Sequence, residues 1–119
     1  MKSERRRFRR FDVALDVAFD AEAKAVAGIT KNISRSGLCF ESPVFDHRLN
    51  EKVELRIKLP EQDTFIPFSG NVAWTKQVAD RYLVGLEFQE IDKAAKVEIL
   101  DYAYDLWIET QKRAGAIVQ

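Results

Sequence analysis

The chain has 119 residues, with 19 basic and 19 acidic side chains and a single cysteine. That length suits one domain burying about two thirds of its unfolded surface. A zero net charge excludes a generally basic protein that coats nucleic acid, and one cysteine excludes an internal disulfide framework. The charge is unevenly placed, however. Residues 1–10 carry Lys2, Arg5, Arg6, Arg7, Arg9 and Arg10 against Glu4, a local charge of +5 that leaves −5 for the remainder. Such a distribution points to one local anion site.

In chain order, the first feature is Arg5–Arg6–Arg7–Phe8–Arg9–Arg10. Like charges cannot bury themselves, so this run is a solvated tail or an arm awaiting an anion. No apolar stretch follows that would make it a signal peptide, and no window approaches a membrane span. With the lone cysteine, this suggests a soluble, cytoplasmic protein. Phe11, Val13, Leu15, Val17 and Phe19 then alternate with Asp12, Ala14, Asp16, Ala18 and Asp20, the pattern of a half-buried strand. From Ala23 to Ile33 a second strand is expected, with Ala25, Ala27, Ile29 and Ile33 on one face. A polar turn, Asn32–Ile33–Ser34–Arg35–Ser36–Gly37, leads into a short strand, Leu38–Cys39–Phe40, where Cys39 reads as a small, inert strand residue.

Val53, Leu55, Ile57 and Leu59 mark a fourth strand, closed by Pro60. Ile66, Phe68, Val72 and Trp74 mark a fifth, with Gly70 as a bend or bulge. Tyr82, Val84, Leu86 and Phe88 mark a sixth. Six short strands with one apolar face each suggest a sandwich or a closed barrel. The period then lengthens. Asp92 can cap a helix whose stripe is Ala94, Val97, Leu100, Tyr104, Trp107 and Ile108; Lys112 and Arg113 suit its C-terminus, and Gly115 can stop it. Ile99, Ala103 and Leu106 lie off that stripe. A helix apolar on two sides can cover the barrel and also meet a partner or a second copy.

Catalysis finds little support. His47, the one histidine, sits in a polar loop without a second histidine or a nearby cysteine to complete a metal site. The acids fall on solvated faces, and no phosphate loop, nucleophile elbow or zinc spacing occurs. The sequence reads as non-enzymatic and without a metal. The arginines differ. Arg6 and Arg10 are four apart, and a guanidinium fork suits both phosphate oxygens and the O6/N7 edge of guanine. Asn32 offers donor and acceptor, Ser34 a hydroxyl, and Gly37 a backbone free to take positive φ.

Arg6-x-x-x-Arg10, followed after one strand and its return by Asn32-x-Ser34-x-x-Gly37, resembles the two-part signature of PilZ domains. These are small bacterial receptors for the second messenger cyclic di-GMP. The resemblance takes in nearly the whole chain, including Val72–Ala73–Trp74, Leu83–Val84–Gly85–Leu86 and the closing helix. It implies one domain over 1–119: a ligand-binding arm (1–10), a six-stranded antiparallel β-barrel (11–90) and a C-terminal helix (92–113). By motif position, Arg6 and Arg10 would grip guanine edges and phosphates. Asn32 and Ser34 would hydrogen-bond a guanine, and Gly37 would permit close approach. Arg5, just before the first motif arginine, could stack on another guanine, favouring a ligand pair. Arg7, Arg9 and Arg35 are auxiliary phosphate contacts in this reading. Trp74 matches a position near the ligand, although a strand tryptophan is as readily core.

The mechanism this implies is a flexible arm of mutually repelling arginines that the ligand pins across the turn. The output would pass to a separate downstream protein in motility or biofilm regulation. The alternative is a nucleotide-independent PilZ-like interaction module in pilus or motility regulation, though such modules typically lack the two motifs. A nucleic-acid-binding barrel ranks third, because the strand aromatics share the apolar parity and the positive charge is confined to the arm.

Overall fold

Six strands and one helix follow each other along the chain: β1 (Asp16–Ala21), β2 (Lys24–Ile33), β3 (Gly37–Ser42), β4 (Lys52–Lys58), β5 (Ile66–Val78), β6 (Arg81–Ile91) and α1 (Lys93–Val118). The computed structural model describes residues 8–118, with side chains as far as Arg113. All strand pairs are antiparallel, and the order β1-β2-β3-β6-β5-β4 closes on itself through β1 and β4. Closure satisfies every edge and turns one apolar face of each strand into a common interior. That interior holds Val13, Leu15, Val17 and Phe19 together with Ile33, Phe40, Leu55, Ile57, Val72, Val84 and Leu86.

The alternation from Phe11 to Phe19 holds in burial, but ladder pairing begins only at Asp16. Before it, Phe11 makes an isolated bridge to Ile33, donating to its carbonyl at 2.8 Å and accepting from its amide at 2.9 Å. The Thr30 hydroxyl completes the seam by accepting from Leu15 N (2.8 Å) and donating to Val13 O (2.5 Å).

β2 forms where expected, with the opposite face inward for most of its length. Val26, Gly28 and Thr30 point in, while Ile29 is 48% exposed. A side chain on Gly28 would press on the Glu41 carbonyl at 2.8 Å, so the glycine lets β3 lie close. The register shift between Thr30 and Asn32 makes Lys31 the extra residue of a β-bulge. The bulge returns Ile33 to the core and leaves Asn32 outside. β5 does the same at Ala73: Val72 is buried, whereas Trp74, expected on the same face, is 43% exposed. The irregularity beside Gly70 places its extra residue, Gln89, on β6.

Asp92 caps α1 as expected, accepting from Ala95 N at 3.0 Å. The face on the barrel is not the expected stripe. Ile99 and Ala103 are buried, whereas Val97 is 56% and Tyr104 48% exposed. Both stripes are apolar, and the smaller one allows close approach; the aromatic one meets Phe11, whose ring lies 6.0 Å from those of Tyr104 and Trp107. The helix also runs past Lys112, Arg113 and Gly115 to Val118.

Strained and crowded backbone can be tested by substitution. Glu22 and Ala23 turn the β1–β2 hairpin with φ of 52° and 67°, left-handed values that favour Asn-Gly. The double variant E22N/A23G should therefore raise stability by about 1–2 kcal/mol in denaturant melts; a lower midpoint would contradict this account of the turn. Gly37 has no positive φ, contrary to expectation. A Cβ there would instead collide with the Leu86 carbonyl across the β3–β6 ladder. G37A should cost about 2 kcal/mol, and a variant as stable as the parent would show that β3 can move away freely.

Candidate functional site

The bridge between Phe11 and Ile33 determines where Arg10 stands. It fixes the backbone one residue after Arg10 to the strand that carries Asn32. The Arg10 guanidinium donates from Nη1 to Asn32 Oδ1 at 2.9 Å, joining residues 22 apart in sequence. Both line a groove of about 460 Å³ on the outer wall of the barrel, with Ser36, Cys39, Asn50, Trp74 and Glu87. Its floor is Gly85. A Cβ at that position would overlap the Trp74 indole, so the missing side chain is what lets the ring lie flat against β6.

The turn after Asn32 is held by its own hydrogen bonds. Ser34 N donates to Gly37 O at 2.8 Å, Ser36 N donates to Ser34 Oγ at 3.2 Å, and the two serine hydroxyls lie 3.1 Å apart. Ser34 is 1% exposed and does not line the groove. It shapes the turn, and Ser36 is the serine presented to the groove. From the other side Asn50, at φ 67°, is fixed by donating to Val72 O at 2.8 Å. Cys39 lies between them. Burial raises its thiol pKa above the ordinary value, against the nearby Arg10 and Lys31 charges that lower it, so it stays a neutral thiol at physiological pH.

Two further arginines approach the site without lining it. Arg9 lies over the Trp107 ring, 4.7 Å from its centroid, and Arg35 over Phe8 at 5.2 Å. These cation–π contacts draw α1 and the turn towards the arm. Lys96 adds a tie from the helix, donating to the Arg35 carbonyl at 3.0 Å. Arg5, Arg6 and Arg7 lie outside the described residues.

The groove thus brings together Arg10, Asn32 and Trp74, with Gly37 and Ser34 building the turn behind them. Sequence reasoning missed Ser36, Asn50, Gly85 and Glu87 as site residues. Ser36 was visible within the second motif and Gly85 within Leu83–Val84–Gly85–Leu86; Asn50 carried no local signal. His47 is half-buried against Phe45, with Asp46 and Glu51 carboxylate oxygens 3.6 and 3.5 Å from its ring nitrogens. Among the described residues no cluster of His, Cys, Asp or Glu is arranged to hold a metal ion. No described helix is long and apolar enough to cross a membrane.

Comparison with known proteins gives the geometry its context. The family model of the PilZ domain matches residues 4–105. No curated protein matches this chain by sequence. Among solved structures, the Bacillus subtilis inhibitor of motility MotI/DgrA superposes with a TM-score of 0.74 at 24% identity, over 88% of this chain and 52% of that one. The PilZ domain of Escherichia coli YcgR with cyclic di-GMP gives 0.74 at 9% identity, over 93% of this chain and 98% of that one. MrkH, a cyclic di-GMP-dependent transcription regulatory factor, gives 0.70 at 17% identity, over 87% and 52%. The chain therefore spans about half the length of MotI/DgrA and MrkH. With the family match covering most of its length and the same closed barrel beneath it, this chain is a member of the PilZ domain family.

Proposed function

We propose that this chain is a receptor for cyclic di-GMP, which binds in the groove between the arm and the Asn32–Gly37 turn. The observation that carries the reading is the Arg10–Asn32 hydrogen bond beside an exposed Trp74. It brings a guanidinium, an amide and an aromatic face to one groove, the set a guanine nucleotide requires. The YcgR PilZ domain, solved with cyclic di-GMP, supports the same choice of ligand.

In this reading Arg10 and Arg6 take the guanine edge and the phosphates. Arg7, Arg9 and Arg35 add positive charge around them, and Arg5 stacks on a second guanine to favour a ligand pair. Asn32 and Ser36 face the base directly. Ser34, buried beneath them, acts by holding the turn, and Gly37 by keeping β3 close to β6. Binding exchanges the Arg10–Asn32 bond for bonds to the ligand and gathers the arm over the groove. Because Arg9 rests on Trp107, gathering the arm alters the surface that α1 offers a downstream protein. The molecule acts as an adaptor, not an enzyme, and works inside the cell where the messenger is found.

Calorimetric titration of cyclic di-GMP tests this. Removing one charge-assisted contact costs about 1.5–3 kcal/mol, so R6A and R10A should each weaken binding roughly 10- to 100-fold. The stoichiometry reports on the role given to Arg5. A folded wild type that takes up no cyclic di-GMP would sink the proposal and leave a nucleotide-independent interaction module. G85A supplies an independent check on the floor: the atoms its added methyl meets first all belong to the exposed Trp74 side chain, so the barrel should fold while affinity falls at least tenfold. Unchanged affinity in folded G85A would remove Trp74 from the site.

A further inference from the structure

Glu87 is the one carboxylate among the residues that line the groove. It sits on β6 paired with Gly37 on one side and Asn71 on the other. Val84 and Leu86 point into the barrel, so Glu87 shares the outer face with Gly85, under the Trp74 ring. The side chain is exposed and makes no ion pair among the described residues. Other acids nearby are already paired: Glu41 is held by Arg81 and Lys31, and Glu90 by Lys52.

A carboxylate without an ion-pair partner among the described residues, lining the same groove as an arginine read as taking phosphate, is a liability unless it meets a donor. It repels the ligand's phosphates, and burying it without a partner costs free energy. Guanine supplies such a donor pair. Its N1–H and its 2-amino group lie side by side on one edge, spaced to match the two oxygens of a carboxylate. Adenine has no hydrogen on N1 and no 2-amino group, so against adenine the same carboxylate would face a lone pair. The O6/N7 edge of guanine, on the adjoining side of the ring, remains free for a guanidinium such as that of Arg10.

We infer that Glu87 is the residue that makes this groove selective for guanine over adenine, accepting hydrogen bonds from N1–H and the 2-amino group. This rests on the receptor reading above and assigns to it a base-specificity determinant. The selectivity is of the kind that a buried, unsatisfied polar group enforces: the wrong base leaves the carboxylate desolvated and without a donor. Gln at this position keeps one acceptor oxygen and replaces the other with a donor, so it should recover part of the discrimination.

The test is titration of the wild type, E87A and E87Q with cyclic di-GMP and, separately, with cyclic di-AMP. Wild type should prefer cyclic di-GMP by at least 100-fold. E87A should bind cyclic di-GMP at least tenfold more weakly and cyclic di-AMP no more weakly than wild type does, collapsing the ratio; E87Q should fall between. If E87A binds cyclic di-GMP as tightly as wild type or more tightly, the carboxylate only repels phosphate and the inference is overturned. Equal weakening of E87A toward both dinucleotides would overturn it as well. A folded wild type that binds neither dinucleotide would instead overturn the receptor reading itself.

Discussion

One backbone bridge carries most of the arrangement. By exchanging two hydrogen bonds with Ile33, Phe11 ties the end of the basic arm to the strand that opens the polar turn. Arg10, one residue before the bridge, is thereby delivered to Asn32. Phe11 itself reaches the other way, its ring edge-on to Tyr104 and Trp107 of α1. A single residue thus contacts the arm, the groove wall and the helix. Through this junction the backbone that follows Arg10, the turn and the helix are held to one another.

The groove is a product of irregularity in an otherwise regular barrel. A strict ladder would send Asn32 and Trp74 to the same side as the core residues that precede them. One extra residue at Lys31 and another at Ala73 turn them outward. Two glycines then make room: Gly37 lets β3 approach β6, and Gly85 gives the indole a flat bed. The two bulges leave polar or aromatic groups facing water. Their effect is to bring hydrogen-bonding groups and a ring face to the groove that Arg10 also lines.

Much of this was legible in the sequence because it follows from period. Five alternating runs and the short apolar run Leu38–Cys39–Phe40 specify six strands, and the change to three- and four-residue spacing specifies the helix, with Asp92 at its start. Arg10, Asn32 and Gly37 were visible as residue types whose chemistry converges on a guanine nucleotide. Bulges were not legible. A period-two count through Ala25, Ala27, Ile29 and Ile33 assumes that no residue is extra, and Lys31 breaks that assumption. Trp74 was left between core and site for the same reason. The choice of helix face was likewise open, since Ile99–Ala103 and Val97–Tyr104 are both apolar and only the fit to the barrel decides between them. Ser34 and Ser36 differ in burial through turn geometry that no composition records.

If the turn, the bulged strands and the ring act as one ligand site, nuclear magnetic resonance titration with cyclic di-GMP shows it most directly. The amides from Asn32 to Gly37, the Gly85 amide and the Trp74 indole N–H should shift together and saturate with one apparent affinity. The Phe11 amide should follow them through its bridge to Ile33. A well-dispersed spectrum in which these resonances stay still, or in which the only changes fall along Val97, Tyr104 and Ile108 of α1, would contradict a single site in the groove and move it to the helix.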